Sequence, residues 1–221
     1  MRARLRVCVL ISGSGSNLQA LIDARDEGRI DIDIVGVISN QADARGLARA
    51  SRAGIPASIL EQQDFADRNT FDRALCLLIG AGNPHLVILA GFMRIVGSEV
   101  LDPFKGRLIN LHPSLLPLYR GTNTYQRVLD AGDREHGASI HFVTGELDGG
   151  PVISQVRLPV LAGDDKHKLA ARLAPMEHRL LVATIEFFTQ HRVECSDVEV
   201  LVDENSLEHP LLLQADDRLE S

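Results

Sequence analysis

The sequence predicts an α/β protein built on an open, mostly parallel β-sheet with helices on both faces. Strand and helix patterns alternate from the amino terminus, and a glycine-rich loop joins the first strand to the first helix. The strands are apolar on both faces, which is typical of a parallel sheet covered by helices. The chain has 221 residues, 45% of them hydrophobic, and we expect one domain over residues 1–221. Its core would span about 5–188, followed by a tail at 190–221 of unknown role.

The alternation is clearest in the first half of the chain. Short apolar runs between turn residues predict strands at Leu5–Ser12, Ile32–Ser39, Pro56–Leu60, Leu86–Ala90 and Leu108–Leu111. Apolar residues at helical spacing predict helices at Ser16–Gly28, Asp43–Ala53 and Phe65–Gly80. The basic and then apolar start resembles a short signal peptide. A strand is favoured, because the apolar run is brief and a glycine loop, without a cleavage-like stretch, follows it.

The pattern changes after residue 120. We expect a short helix at Thr124–Ala131, followed by strands at Ser139–Thr144 and Val152–Pro159. A long helix is predicted at Lys166–Phe188, with a kink at its internal proline. The acidic, leucine-bearing tail at Glu204–Ser221 is expected to be poorly ordered.

Composition argues against several classes of protein, although a local basic patch would not show in the net charge. No apolar run approaches the ~18 residues of a membrane span. The formal charge of −7 gives no support to a nucleic-acid-binding surface. The cysteines, Cys8, Cys76 and Cys195, are odd in number and far apart, which indicates neither a disulfide framework nor a metal site. We therefore expect a cytoplasmic protein in a reducing compartment.

The glycine loop, "ISGSGSNLQ", allows two interpretations. Backbone N–H groups at a strand-to-helix turn form an anion site, which predicts phosphate binding. The alternative is an ordinary tight turn with Ser16 as the helix N-cap. A dinucleotide is poorly supported, since Leu18 replaces the third glycine and Ser39 ends the second strand where an acid is needed. ATP is also poorly supported, because the loop has no lysine, and a small phosphate monoester remains.

The run "RLINLHPSLLPLYRG" places two polar residues at a strand end. Asn110 and His112 are two residues apart, so they project from the same face. Open α/β sheets bind ligands at the carboxyl ends of their strands. Asn110 can donate to an oxyanion, and His112 can move a proton near neutral pH. A structural histidine that bonds a loop carbonyl remains the alternative.

Asp148, in "LDGGP", also has two interpretations. Asp-Gly is a strong turn signal between strands. The carboxylate can instead orient His112, and the local sequence does not decide between these roles.

Other chemistry has little support. The histidines at His136, His141, His167 and His178 are scattered and form no zinc motif, so we expect no metal. Cys8 and Cys76 lie on apolar elements and are expected to pack in the interior rather than act as nucleophiles.

Four motifs together resemble a known family. "SGSGSNLQALI", "ILAGFMRIV", "INLHPSLLP" and "HFVTGELDGGPVISQ" are similar to phosphoribosylglycinamide formyltransferases, and the resemblance covers about Leu5 to Phe188. It implies a formyltransferase fold with a Rossmann-like N-terminal half. It also implies transfer of a formyl group from 10-formyltetrahydrofolate to the amine of glycinamide ribonucleotide, in purine biosynthesis.

The resemblance also implies roles for particular residues. The catalytic residues would be Asn110, His112 and Asp148, and the glycinamide ribonucleotide would contact Gly15, Ser16, Asn17 and Glu177. The folate would contact Arg68, Met93, Arg94, Ile95, Val96 and Asn110, with the loop Thr144–Asp148 beside its pterin. Asn110 and a protonated His112 would stabilise the oxyanion of a tetrahedral intermediate, and Asp148 would keep His112 protonated.

The chain departs from the family pattern at two positions. Tyr125 stands where many members have a histidine, and Gly145 replaces a residue that is often acidic. The rival interpretations are a methionyl-tRNA formyltransferase, a formyltetrahydrofolate hydrolase and a phosphate-ligand sensor without catalysis. The first two normally carry a further domain for which this sequence has no counterpart, and the intact Asn110, His112 and Asp148 argue against the third. Monomer and homodimer both remain open.

Overall fold

The structure is a computed structural model that describes residues 3–196 and 198–220. Two compact units make up the chain, Met1–Asn110 and Leu111–Ser221. The prediction of one domain therefore stays a prediction.

The first unit is a parallel sheet. Its strands are β1 (Leu5–Ile11), β2 (Ile32–Ser39), β3 (Ala57–Ile59), β4 (Leu86–Leu89) and the beginning of β5 (Leu108–His112). The spatial order is β5-β4-β1-β2-β3, and every neighbouring pair is parallel. The centre of β1 is fully buried, as its continuous run of valine and leucine predicts.

Helices connect these strands. They are α1 (Ser16–Asp26), α2 (Arg45–Arg52), α3 (Arg68–Ala81) and the short α4 (Ser98–Leu101). In α1 and α3, one apolar face is buried, with Leu18 and Leu21 on α1 and Phe71 and Leu75 on α3. A capping box in which Asp67 and Thr70 bond each other's backbone fixes the start of α3. The sequence predicted the first three helices and missed α4, which has only a single turn.

The second unit contains an antiparallel strand pair covered by a long helix. Its main elements are α5 (Thr124–Ala131), β6 (Glu135–Phe142), β7 (Val152–Pro159) and α6 (Lys166–Gln190). β6 pairs antiparallel with β7, and α6 packs against both. The strand β6 begins before the predicted Ser139, because Gly137 lets the β7 backbone approach where a side chain would collide with the Val156 carbonyl. Pro175 lies inside α6.

The tail is ordered, so the expectation of poor order at Glu204–Ser221 is wrong for the residues described there, while Ser221 lies outside them. It adds β8 (Val193–Cys195), β9 (Val200–Val202), β10 (Asn205–Ser206), β11 (Leu211–Leu213) and β12 (Leu219–Glu220). β11 joins β7 in parallel, with Leu211 buried. Arg179 of α6 donates to the carbonyls of Gln214 and Ala215 at 3.1 and 3.0 Å. These long-range contacts, invisible in the local pattern, hold the tail.

The prediction of an α/β fold with a mostly parallel sheet is confirmed. Across residues 3–196 and 198–220, no helix has both the length and the apolar character required for crossing a membrane.

Candidate active site

The glycine loop turns sharply into α1. Gly15 is the N-cap residue, with φ 66° in the left-handed region, and Ser16 is the first helical residue. The alternative of Ser16 as N-cap is therefore wrong. No side chain caps this helix start, and no acidic residue occupies its first turn. The first backbone N–H groups of α1 thus lack the anionic partner that such ends favour.

Helix α2 supports the loop. The backbone N–H of Gly46 donates to the Gly13 carbonyl at 3.1 Å, and Arg49 Nε donates to the Ser14 carbonyl at 2.9 Å. A Cβ on Gly15 would lie 2.5 Å from the Gly46 Cα. Glycine is therefore required at position 15 by its φ angle and by its contact with α2.

The loop also holds an unsatisfied polar atom. Asn17 Oδ1 is buried and has no hydrogen-bond partner among the described residues. Buried polar atoms are normally hydrogen-bonded, so this oxygen indicates a position for a water or a ligand.

A hydroxyl links this loop to the segment that follows β4. The Met93 backbone N–H donates to Ser12 Oγ at 2.7 Å, and Ser12 Oγ donates to Asn40 Oδ1 at 2.5 Å. Two regions with predicted ligand contacts, the glycine loop and residues 93–96, thus meet inside the first unit. No motif in the sequence pointed to this role of the Ser12 hydroxyl.

The segment predicted to line a folate pocket is partly exposed. Met93 is 78% exposed and Ile95 58%, whereas Val96 is buried. The Arg94 guanidinium lies 4.2 Å from the centroid of the Phe71 ring and bonds the Gln62 side chain. Exposed apolar side chains beside the fixed guanidinium of Arg94 suit a ligand with an aromatic body and an acidic tail.

Arg68 is partly engaged within the protein. Its Nη2 donates to the Ile95 carbonyl at 3.0 Å, and its Nε lies 3.5 Å from Asp72 Oδ2. Half of the Arg68 side chain is exposed, which leaves one face of the guanidinium for a ligand.

His112 and Asp148 lie together in the second unit. His112 Nδ1 is 3.5 Å from Asp148 Oδ2, and His112 Nε2 is 3.1 Å from the Tyr119 carbonyl oxygen. Because a carbonyl oxygen only accepts, the ring proton resides on Nε2, and Nδ1 faces the carboxylate. Asp148 has φ 46°, so it also occupies a turn position. The structure is therefore compatible with both interpretations of Asp148, as a turn residue and as a partner of His112.

Burial controls the ionisation of this pair. Burial lowers the pKa of His112, and the Tyr119 carbonyl and the Asp148 charge, which raise it, do not compensate. Burial raises the pKa of Asp148, but hydrogen bonds from His141 and the Gly121 N–H lower it below its ordinary value. The Asp148 charge favours protonation of His112, as expected, but burial outweighs it in the unliganded protein. The expectation that Asp148 keeps His112 protonated therefore stays a prediction.

Two further groups contact Asp148. The Gly121 backbone N–H donates to Asp148 Oδ2 at 2.8 Å, and His141 Nε2 lies 3.7 Å from Asp148 Oδ1. His141 Nδ1 donates to the Phe142 carbonyl at 2.8 Å, which leaves Nε2 toward the carboxylate. The sequence reasoning weighed His141 only as a metal ligand and missed this contact. His141 lies in the continuously buried part of β6, so no alternation in the sequence signalled this contact.

Asn110 is the last residue of the first unit. It is half-buried and pairs in register with Leu89 of β4. It precedes His112 by two residues in the same strand, as predicted.

Glu177 lies on α6, which packs against α5. Burial raises the pKa of Glu177 to about 7, and no described residue forms a salt bridge with it. On α5, burial raises the pKa of Tyr125, and the nearby Glu177 charge raises it further. The Tyr125 ring contacts His136 edge-on, with centroids 5.2 Å apart. Tyr125 thus lies near Glu177, a residue that is predicted to contact the substrate. Gly145 is the other position that departs from the family pattern, and a Cβ there would meet no atom within 4 Å.

Comparison with known proteins identifies the family. The model of the family described as "Formyl transferase" matches residues 5–185. Phosphoribosylglycinamide formyltransferase of Escherichia coli (strain K12) is 45% identical over 90% of this chain and 94% of its own length. The Haemophilus influenzae protein of the same name is 40% identical over 91% of this chain and 95% of its own length.

Solved structures agree with these relatives. The phosphoribosylglycinamide formyltransferase of Coxiella burnetii, determined in complex with CHES, superposes with a TM-score of 0.88 at 43% identity, covering 92% of this chain and 96% of that one. Glycinamide ribonucleotide transformylase 1 of Symbiobacterium toebii also gives 0.88, at 40% identity, over 91% and 95% of the two chains. The chain therefore belongs to the phosphoribosylglycinamide formyltransferase family.

Proposed function

We propose that this protein transfers the formyl group of 10-formyltetrahydrofolate to the amine of glycinamide ribonucleotide, a step of purine biosynthesis. The observation that carries the proposal is the buried His112–Asp148 pair at the end of β5, two residues after Asn110. The relatives' names supply the substrate class.

The glycine loop would bind the phosphate of the nucleotide. The start of α1 offers N–H groups without a side-chain cap or an acidic first turn, and Ser16 and Asn17 lie within that turn. A phosphate is the anion that such a helix end favours. The buried, unpartnered Asn17 Oδ1 supports a ligand at this position.

The folate would contact residues 93–96. Exposed Met93 and Ile95 offer apolar surface, and Arg94 and Arg68 offer cations for the carboxylates of its tail. Because Arg68 is half exposed, its contribution to binding is modest.

The chemistry begins with a neutral imidazole. The substrate amine attacks the formyl carbon, forming a C–N bond as the carbonyl electron pair moves to oxygen. Asn110 would donate a hydrogen bond to that oxyanion. The attacking nitrogen becomes cationic and acidic, and neutral His112 would accept its proton, directly or through a water.

The resulting imidazolium suits its surroundings. Nε2–H would keep donating to the Tyr119 carbonyl, and Nδ1, the nitrogen that gains and returns the proton, lies 3.5 Å from Asp148 Oδ2, whose negative charge stabilises the cation. His112 would then return the proton to the folate nitrogen as the bond between this nitrogen and the formyl carbon breaks. Asp148 thus acts by stabilising the charge that His112 gains during the reaction. No metal enters this scheme.

Glu177 would contact the glycinamide end of the nucleotide. Its half-buried carboxyl has no counter-charge among the described residues, so a substrate N–H or ammonium would supply the missing partner.

A turnover assay tests the proposal. Purified protein with glycinamide ribonucleotide and 10-formyltetrahydrofolate should release tetrahydrofolate only when both substrates are present. Release without the acceptor would indicate a hydrolase, and transfer to methionyl-tRNA instead would indicate the tRNA enzyme. Phosphate-ligand binding without turnover would indicate a sensor. Each of these three results would refute the proposal.

A further inference from the structure

The segment Met93–Gly97 has irregular backbone between β4 and α4. Irregular segments lack the repeating hydrogen bonds that fix helices and strands, so other groups must hold them. Two of its side chains, Met93 and Ile95, are exposed and therefore do not anchor it. Val96 is buried and Arg94 contacts Phe71 and Gln62, and the remaining anchors lie on the backbone groups of the segment.

Asp72 holds the end of this segment. The Gly97 backbone N–H donates to Asp72 Oδ2 at 3.0 Å. A Cβ on Gly97 would lie 2.6 Å from that same oxygen. The backbone of Gly97 has φ −95° and ψ −178°, which any residue adopts. Glycine is therefore needed at position 97 only for the close approach to Asp72.

The position of Asp72 is unusual for a carboxylate. It lies on the buried face of α3, with Phe71 and Leu75, and is 1% exposed. Its Oδ1 has no hydrogen-bond partner among the described residues. Burial of an incompletely paired carboxylate costs stability, and replacement by a well-packed apolar residue is often neutral or stabilising. Stability alone therefore does not account for an aspartate here.

Two other contacts hold the rest of the segment. Arg68, which lies beside Asp72, donates to the Ile95 carbonyl at 3.0 Å. At the other end, Ser12 Oγ accepts from the Met93 N–H at 2.7 Å. Backbone hydrogen bonds at Met93, Ile95 and Gly97 thus fix the conformation of the segment and the positions of its exposed side chains.

We propose that Asp72 is a positioning residue for formyl-folate binding, acting through the Gly97 N–H and Arg68 to set the conformation of Met93–Gly97. This inference rests on the proposed function, which places the folate against the same segment. Asp72 itself does not touch the reacting atoms. Its loss would loosen the binding surface for one substrate and leave the chemistry intact.

Three variants test this role. Asp72→Ala removes both the hydrogen bond and the ion pair, and should raise the KM for 10-formyltetrahydrofolate about tenfold. Asp72→Asn keeps an oxygen that can accept from the Gly97 N–H, and should stay within about threefold of wild type. Gly97→Ala leaves α3 unchanged but displaces the carboxylate, and should match Asp72→Ala. For all three, kcat and the KM for glycinamide ribonucleotide should stay within about twofold of wild type.

Ser154→Ala provides the stability control. Ser154 is a buried residue of the second unit whose hydroxyl bonds Thr184 at 2.7 Å. This variant should lower the Tm without changing either KM. The double variant Asp72→Ala/Gly97→Ala should be no worse than Asp72→Ala alone, because the carboxylate with which the new methyl group collides is gone.

The outcomes separate the two claims. A wild-type protein that does not turn over refutes the proposed function and this inference with it. Wild-type turnover with an unchanged folate KM in Asp72→Ala refutes the inference alone. Equal increases in both KM values, shared by Ser154→Ala, would also refute it. If Asp72→Ala does not fold, Gly97→Ala decides: a normal folate KM overturns the inference, and a selective increase supports it.

Discussion

The two units use different chemical groups at their candidate sites. In the first, the glycine loop presents backbone N–H groups, and Met93–Gly97 presents exposed side chains on a backbone fixed by Ser12 and Asp72. In the second, the working groups are buried ionisable side chains whose pKa values are displaced, such as His112, Asp148 and Glu177. Backbone geometry suits the holding of ligands, and displaced pKa values suit the movement of protons.

The contrast has a kinetic meaning. Substitutions in the first unit should change substrate affinity, because they alter the shape of a binding surface. Substitutions of the buried groups should change turnover, its pH dependence or the stability of the fold. Variants in each unit therefore separate effects on affinity from effects on turnover or stability, or identify a residue that has both.

The largest effect is expected for Asp148→Asn. Asparagine adopts the left-handed conformation readily, so the turn should persist and the Tm should stay near wild type. The imidazolium formed on His112 loses its counter-charge, and kcat should fall by ~10²–10⁴-fold. Because the Asp148 charge raises the pKa of His112, its removal lowers that pKa, and the acidic limb of the kcat–pH profile should move to lower pH.

His112→Asn serves as its partner variant. It should be as slow as Asp148→Asn, and the double variant should add little, as for residues that act as one unit. A folded Asp148→Asn protein with wild-type turnover and an unmoved acidic limb would leave Asp148 as a turn residue only.

Next in size is the effect of Gly13→Ala on the nucleotide. A Cβ there meets no protein atom within 4 Å, so the fold should be unaffected. A methyl group on the phosphate loop should raise the KM for glycinamide ribonucleotide about tenfold, and the folate KM far less. Gly15→Ala is the contrast, because its φ of 66° and the contact with Gly46 should lower the Tm as well. Equal changes of both KM values in Gly13→Ala would indicate that the phosphate binds outside this loop.

Glu177→Gln should gain stability and lose substrate affinity. The pKa of Glu177 rises from 4.5 to about 7 on folding, so the folded state resists its ionisation. The stability present below pH 4.5 is lost as the pH rises through about 7, and glutamine avoids that loss. At pH 8, urea unfolding should show a gain of ~1–3 kcal/mol, while the KM for glycinamide ribonucleotide rises.

The control for this prediction is the pH itself. Below pH 4.5, where Glu177 is protonated in both states, the variant and wild type should have equal stability. A gain that persists unchanged at acidic pH would mean that ionisation of Glu177 is not its cause.

The smallest effect is expected for Arg68→Ala. As a half-exposed cation, Arg68 should contribute on the order of 1 kcal/mol, so folate affinity should fall several-fold by calorimetry. Affinity for glycinamide ribonucleotide should not change. Arg73→Ala is a matched control, because Arg73 lies on the same helix and pairs with Glu99. Unchanged folate affinity in Arg68→Ala, or an equal loss in Arg73→Ala, would contradict the assignment.

The sequence predicted well what depends on local pattern. Strands such as Ile32–Ser39 and Val152–Pro159 have the predicted bounds, because segments rich in valine, isoleucine and leucine between turn residues specify them. The proximity of Asp148 to His112 was left open and required the fold, since no periodicity relates a strand end to a distant turn.

Some properties arise only in three dimensions. The lowered pKa of His112 results from burial, which the sequence does not quantify. The role proposed for Asp72 rests on its contact with the Gly97 N–H, which only the fold brings about. The tail strands have too few residues to show a period, and their order comes from pairing with β7 and from Arg179.

The contact between Gly15 and Gly46 constrains how this sequence can vary. A side chain on Gly15 would meet the Gly46 Cα, and one on Gly46 would lie 2.4 Å from Ile11 Cδ1 and 3.2 Å from the Gly15 Cα. Neither position can therefore compensate for a change in the other, since glycine is already the smallest residue. In a saturation library selected for folding without catalysis, we expect position 15 to accept glycine alone and position 46 to accept only glycine and alanine.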